Sequence, residues 1–285
     1  MRAISTIEEL QDQIKVLHKS PLGFVPTMGA LHEGHLSLVR NAAADCPLVV
    51  VSIYVNPTQF NDKNDLRNYP RNLLKDLELL DQELRKDDIV FTPDDKEIYP
   101  EKDTRVFNFG SLDSVMEGLH RPGHFNGVAQ VVSRLFNITK PDIAYFGIKD
   151  FQQVAIVKEL VRQSGTGPKI VACPIIREND GLAMSSRNQL LEPLTRKKAP
   201  VIFRTISAAS QLFQEKDISE IKEFVKEKIE KSGDFVLDYF EIVDETELIP
   251  LKKKTDLIKG RNYFGCIAVK ANGIRLIDNI PFLLV

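Results

Sequence analysis

Two histidines three residues apart, His32 and His35, sit in the string PTMGALHEGH that runs from Pro26 to His35. The string leaves an apolar stretch, passes Gly29 and Gly34, and enters a segment with a helical pattern. Glycine lets a backbone approach a ligand closely. A helix start offers N–H groups and the positive end of the helix dipole, and together these attract phosphate. Residues three apart share a helix face. Both imidazoles can therefore donate to phosphate oxygens of one ligand and, when protonated, offset charge that develops on them. A metal pair and a purely structural role are the competing readings. Against zinc stand the absence of a third ligand at familiar spacing and the difference between HEGH and the HExxH of zinc proteases.

Three further segments carry polar groups suited to a ligand. RENDGLAMSSRN, from Arg177 to Asn188, combines the hydroxyls of Ser185 and Ser186 with an arginine and with backbone N–H groups opened by Gly181. That set binds anions, although a polar interdomain linker would look similar. FGIKDFQQ, from Phe146 to Gln153, follows a strand and opens a helix. Lys149 can reach phosphates as a point charge, Asp150 can accept hydrogen bonds from ribose hydroxyls, and Gln153 offers an amide to a polar substrate. A capped surface helix is the plainer alternative. Asn56 and Gln59 close the most apolar strand with two amides, which orient hydroxyl and carboxyl groups without adding charge. An Asn-Pro turn accounts for Asn56 and Pro57 but not for Gln59.

The elements that must hold these groups alternate along the chain. A helix capped by Ser5 or Thr6 runs to about His18, a strand spans Leu22 to Pro26, a helix Leu36 to Ala44, and a strand Pro47 to Asn56. Helices over Asn72–Lys86, Val128–Asn137 and Phe151–Gln163 then alternate with strands at Asp88–Pro93, Asp142–Gly147 and Lys169–Pro174. Such alternation predicts a doubly wound parallel sheet, with ligands at the carboxyl ends of its strands. After Asn188 come helices over Leu194–Glu215 and Ile218–Lys231, then strands at Phe235–Val243, Phe264–Lys270 and Ile274–Ile277. Asn272-Gly273 is a tight-hairpin signal. The expectation is an α/β domain over residues 1–177 and a smaller α+β domain with an antiparallel sheet over 178–285.

Composition narrows the classes of partner. Of 285 residues, 43% are hydrophobic and 27% charged, which fits a folded globular chain rather than a disordered one. The formal net charge of -2 gives no general attraction to nucleic acid or to an anionic membrane. The basic runs Arg196–Lys198 and Lys252–Lys254 read as solvated faces. Cys46, Cys173 and Cys266 are far apart and lie among apolar residues, as expected of buried, reduced thiols. No apolar run approaches the roughly 20 residues of a membrane helix, and the N-terminus has no signal-peptide pattern. The expected compartment is the cytoplasm.

Taken in order, PTMGALHEGH, VNPTQF, the YPR of Tyr69–Arg71, RPGHFNGVAQVV from Arg121, PDIAYFGIKDFQQ from Pro141, RENDGLAMSSRN and IRLIDNI from Ile274 make the chain resemble the pantoate–β-alanine ligase family over nearly its whole length. The resemblance implies a nucleotidyltransferase-like fold of the His-x-Gly-His type. It also implies condensation of (R)-pantoate with β-alanine through a pantoyl adenylate, with Mg2+ and ATP, by a homodimer whose C-terminal domain closes over the ATP site. By the same resemblance, Met28, Gly29, Ala30, Leu31, His32, Glu33, Gly34 and His35 hold ATP phosphates, with His35 as the proton donor and His32 and Lys149 beside it in catalysis. Gly147, Ile148, Lys149 and Asp150 would meet ribose and phosphate. Ile176 and Met184 would pack on adenine, and Ser185, Ser186 and Arg187 on the distal phosphates. Gln59 and Gln153, with Asn56, would hold pantoate, and Gln59 would also serve β-alanine. Asp76 is the acid expected at magnesium, standing alone because its neighbour is Lys75. Two departures from the family pattern are Lys63-Asn64-Asp65-Leu66 for Asn-Glu-Asp-Leu, one carboxylate short, and Ile175 for the usual Thr. A nucleotidyltransferase that leaves the nucleotide on its product and a nucleotide sensor without turnover are the rival functions.

Overall fold

Leu48-Val-Val-Val-Ser-Ile53 is buried along its first five residues, the pattern of a strand covered on both faces. It forms the third strand, β3 (Leu48–Ile53), of the computed structural model, which describes residues 1–282. The chain divides into two compact units, each discontinuous in sequence. The first takes Met1–Phe109, Arg121–Ile148 and Ile156–Pro174. The second takes Gly110–His120, Lys149–Ala155 and the chain from Ile175 onward.

The first unit is built on a six-stranded parallel sheet of β1 (Arg2–Ile4), β2 (Leu22–Thr27), β3, β4 (Ile89–Phe91), β5 (Ile143–Gly147) and β6 (Lys169–Cys173), in the order β1-β4-β3-β2-β5-β6. β2 pairs with β3 from Leu22↔Leu48 to Thr27↔Ile53, and on its other side with β5 at Gly23↔Ile143. From β2 the chain steps outward to β3 and β4, and later returns to build β5 and β6 on the opposite side. The switch point therefore lies between β2 and β5, where doubly wound sheets bind ligands at the strands' carboxyl ends. The segments that leave there begin after Thr27 and after Gly147.

Helices α1 (Ile7–Leu17), α2 (Glu33–Asp45), α3 (Lys63–Asn68), α4 (Leu73–Asp81) and α5 (Asp95–Ile98) surround this sheet, joined by α7 (His124–Thr139); the short α6 (Met116–His120) belongs to the second unit. Leu36, Val39 and Ala42 of α2 and Leu80 of α4 share one buried cluster with Val25, Val49, Val51 and Val90 of the sheet. Each of these leucine and valine side chains contributes about 1.5–3 kcal/mol on burial. α8 (Phe151–Ser164) passes from one unit to the other, its first residues through Ala155 counting with the second.

Several boundaries differ from the sequence expectation, those of α2, α7 and the last strand (Ile274–Phe282) by extension, and three differences have an identifiable physical cause. β1 is absent from that expectation: three residues carry little periodicity, and its strand character comes from pairing with β4 at Arg2↔Ile89. α4 ends at Asp81 rather than Lys86. Buried Asp88 accepts from the backbone N–H of Arg85 at 2.8 Å and of Val49 at 2.9 Å, and from the Arg85 guanidinium, so it draws the chain out of the helix toward β4. The single helix expected over 194–215 breaks into α9 (Pro193–Lys198) and α10 (Val201–Leu212) around Pro200, which has no N–H to continue the ladder.

In the second unit, β7 (Phe235–Asp244), β8 (Tyr263–Ala271) and β9 (Ile274–Phe282) form an antiparallel sheet in that order. Asn272 and Gly273 take φ of 47° and 84° in the two-residue turn that joins the last pair, as their residue types predict. Helices α10 and α11 (Ile218–Glu230) supply Ile202, Ile206, Ile221 and Val225 to a core with Phe240, Ile267 and Phe282. Gly265 faces the Phe282 ring, and a Cβ there would lie 2.2 Å from its Cε2. Gly265→Ala is expected to overpack this core at a cost of about 1–3 kcal/mol, read as a lower midpoint of thermal unfolding; an unshifted midpoint would mean that Phe282 has room to move.

Candidate active site

The loop from β2 into α2 takes an unusual path. Gly29 and Ala30 have φ of 75° and 49°, consecutive left-handed residues of which only the first is glycine. The left-handed region costs a residue with a Cβ about 1–2 kcal/mol. Asp76 of α4 holds the path: its Oδ2 accepts from the Ala30 N–H at 2.9 Å and its Oδ1 from the Leu31 N–H at 2.7 Å. The carboxylate is 2% exposed. Burial pushes its pKa up, and the two N–H donors pull against that shift. A Cβ on Gly29 would come within 2.9 Å of Asp76 Oδ2, so the glycine is needed for the approach as well as for its φ. Asp76 thus staples the loop, and no group of three His, Cys, Asp or Glu arranged for a metal exists among the described residues.

His32 caps α2, and its Nδ1 accepts from the Gly34 N–H at 3.1 Å. That bond requires Nδ1 to be bare, so the neutral ring carries its proton on Nε2. His35 lies one turn in, its ring centroid 4.1 Å from that of His32 at an interplanar angle of 38°. The structure brings the two histidines together at a helix start, as their spacing predicts. Glu33 between them pairs with Arg40, which also bonds Glu83 at 2.6 Å, so Glu33 brings only its backbone to the loop.

Asn56 caps, and Gln59 ends, a 3-10 turn, Pro57–Gln59, that follows β3. The Asn56 amide is oriented by unambiguous partners. Its Oδ1 accepts from the Thr58 N–H at 3.4 Å and from Tyr99 Oη at 3.0 Å, and its Nδ2 donates to the Gly127 carbonyl at 3.1 Å. The second Nδ2 hydrogen goes to Gln59 Oε1 at 3.2 Å. Gln59 therefore presents Nε2, which contacts Met28 Sδ at 2.9 Å, a weak acceptor that a carboxylate or hydroxyl would readily replace. Met28 and Gly29, with Asp76, Arg71, Tyr54 and Thr92, also line a cavity of about 520 Å³ in this unit.

In the second unit, Arg177 to Asn188 forms a small hairpin rather than a linker. Arg177 bridges Ala183, and the Met184 N–H donates to Ile176 O at 3.0 Å, which sets those two apolar residues side by side. The Arg177 guanidinium grips Asp278 through two bonds of 2.6 and 2.9 Å and stacks on Phe203 at 4.0 Å. This arginine is thereby committed to structure. Ser185 caps the turn Ser186–Leu190, accepting from the Arg187 N–H at 3.3 Å. Asn279, next to Asp278, donates from Nδ2 to Lys149 O at 3.1 Å, and Lys149 Nζ stands 3.3 Å from Asp150. Of the two adjacent glutamines, Gln152 is buried and bonded to Glu117 N, Leu112 O and Val115 O, whereas the Gln153 amide makes no hydrogen bond among the described residues. The sequence showed the strings around Arg121, His124, Gly127, Asp278 and Asn279, but their roles depend on partners about 65 to 130 positions away.

Asp76→Asn places an amide N–H against one of two backbone donors. Faster hydrogen exchange at Ala30 and Leu31 is expected, with a stability loss of about 1–3 kcal/mol; unchanged protection at both amides would remove the staple.

A family model for pantoate-beta-alanine ligase matches residues 2–281. The chain is 50% identical over 285 residues to the pantothenate synthetase of Phocaeicola vulgatus, covering 99% of each, and 47% identical over 284 residues to that of Bacteroides thetaiotaomicron, also covering 99% of each. The crystal structure of pantothenate synthetase from Thermus thermophilus is similar over 100% of both chains, with a TM-score of 0.90 and 41% identity. The Francisella tularensis pantoate-beta-alanine ligase, solved with beta-gamma ATP and beta-alanine, matches over 99% of this chain and 98% of that one, at a TM-score of 0.80 and 33% identity. With a family model matched over nearly its whole length and relatives about 50% identical, the chain belongs to the pantoate–β-alanine ligase family of enzymes.

Proposed function

We propose that the chain condenses (R)-pantoate with β-alanine in two steps. The pantoate carboxylate attacks the α-phosphorus of ATP and expels pyrophosphate. The β-alanine amine then attacks the pantoyl adenylate carbonyl, giving pantothenate and AMP. The observation that carries this reading is the stapled helix start, where His32 is fixed as an Nε2–H donor beside His35.

Met28 to His35 would receive the ATP phosphates. Two imidazoles already in place need no reorganisation as charge builds, which is the larger part of such catalysis. His35 would donate a proton, and Lys149 would add a positive charge. Gly147, Ile148 and Asp150 would meet ribose, Ile176 and Met184 adenine, and Ser185, Ser186 and Arg187 the distal phosphates. The side-by-side placement of Ile176 and Met184 supports the adenine assignment. Gln59 and Gln153 would bind pantoate, and Gln59 also β-alanine, with Asn56 acting through Gln59. Asp76 fits poorly as a protein ligand for magnesium, because each of its oxygens already accepts a backbone N–H. The metal would arrive on ATP, resting on phosphates and water. No helix is long and apolar enough to cross a membrane among the described residues. We place the enzyme in the cytoplasm as a homodimer on the family resemblance.

Incubation with ATP, pantoate and β-alanine, omitting each in turn, is expected to give AMP only with all three. Nucleotide retained on the product, or ATP bound without turnover, would overturn this reading. His32→Ala and His35→Ala should each slow pyrophosphate release by roughly 10²-fold or more while the fold persists; near-normal release by either variant would remove that histidine. Gln59→Ala and Gln153→Ala should weaken pantoate use by about 1–3 kcal/mol and spare ATP binding. Separate titrations of the two substrates distinguish this from glutamines that merely face solvent.

A further inference from the structure

Gln59 is the last residue of a three-residue turn, too short to fix a side chain by its own hydrogen bonds. Its grip comes from the start of α7 and from Arg121 just before it. The Gln59 carbonyl lies 2.8 Å from His124 Nδ1 and 3.4 Å from Arg121 Nη2. A carbonyl only accepts, so His124 carries a proton on Nδ1. The other ring nitrogen, Nε2, is 3.2 Å from Arg121 Nη1. A guanidinium only donates, so Nε2 is bare. These neighbours select one neutral tautomer, in which Arg121 donates to His124 and His124 donates to Gln59 O. The ring is 6% exposed, so water does not compete for the bond.

The same helix makes two more contacts with the turn. The Gly127 carbonyl takes one hydrogen of Asn56 Nδ2, whose other hydrogen fixes Gln59 Oε1. A Cβ on Gly127 would lie 2.4 Å from Thr58 O and 2.8 Å from Gln59 Cα, so only glycine lets helix and turn approach this closely. The residue is therefore held at both ends, by its peptide carbonyl and by its side-chain oxygen. Only Nε2 is directed at a replaceable partner.

We propose that Arg121 and His124 are positioning residues for the acyl substrate: they lock the Gln59 peptide so that Nε2 meets the carboxylate or hydroxyl oxygen of pantoate. This rests on the reading of Gln59 as a pantoate ligand. Loss of the His124 bond frees the peptide to rotate, and an amide donor misdirected by about 1 Å no longer serves a bound oxygen.

The test compares His124→Ala, His124→Asn, Arg121→Lys and Gln59→Ala, measuring initial rates of pyrophosphate release with pantoate and ATP varied separately, alongside thermal unfolding. His124→Ala is expected to raise the pantoate KM by roughly 5- to 150-fold, the range of one lost buried hydrogen bond, with the ATP KM within about twofold. His124→Asn, whose amide N–H can stand where Nδ1–H stood, should recover most of that loss; Arg121→Lys, which keeps the charge but not the fork, should fall between. If His124→Ala does not fold, the Asn and Lys variants carry the same comparison. An unchanged pantoate KM in the His124 and Arg121 variants, where Gln59→Ala raises it, overturns the relay alone. Equal rises in both KM values without recovery by Asn mean a structural role and also overturn it. An unchanged pantoate KM in Gln59→Ala removes the pantoate assignment of Gln59, and the relay falls with it.

Discussion

One buried carboxylate bonded to two consecutive backbone N–H groups sets the geometry on which the candidate site depends. Asp76 offsets the left-handed turn at Gly29 and Ala30 and so directs the start of α2. Asp76 stands where it does because Leu80, one turn further along α4, is fully buried in the sheet's core. Asn72 caps that helix through the Lys75 N–H. Apolar packing thus fixes the helix, the helix fixes the carboxylate, the carboxylate fixes the loop, and the loop aims His32 and His35. A displacement anywhere along this series would reach the imidazoles, since close-packed interiors transmit strain rather than absorb it.

The same arrangement recurs where chain segments leave the regular elements. Asp88 gathers Arg85 and the Val49 N–H at the start of β4, Asn56 binds the turn after β3 to α7, and Asp278 with Asn279 ties the Arg177 hairpin and the Lys149 carbonyl to β9. In each case a polar side chain is buried with its hydrogen bonds made to backbone groups and to other side chains. Burial pushes the Asp278 carboxyl upward while Arg177 pulls it down. Such a pair adds little net stability, but removing one partner alone is costly. What the pairs supply is a single conformation for each loop, which suits the proposed reaction, in which substrates are positioned rather than attacked by an enzyme nucleophile.

How much of this could be read beforehand depended on the range of the interaction. The buried strand β3, the α/β alternation, the Asn272-Gly273 hairpin and the glycine loop that enters α2 are local patterns, and each appears where its residues predict. The edge strand β1 and the early end of α4 were not legible, because a pairing with β4 and the buried carboxylate of Asp88 decide them. The bonds from Ala30 and Leu31 to Asp76 were not legible either, because an acid on an amphipathic helix is ambiguous in sequence. The two discontinuous units were equally hidden: Gly110–His120 and Lys149–Ala155 join the second unit through contacts that composition does not record.

By itself, the sequence determined the class of fold, the strand ends at which ligand chemistry is placed, and the family, since hydrophobic periodicity and rare strings are written in consecutive residues. Tertiary structure alone decided which polar groups remain available for a ligand. Gln152 and Gln153 are identical and adjacent, yet one is enclosed by three backbone partners and the other is not. Arg177 and Asn56 carry attractive binding chemistry that Asp278, Gly127 and Tyr99 consume. Hydrogen-bonding capacity is finite for each side chain, and how it is divided follows from distances between residues far apart in the chain.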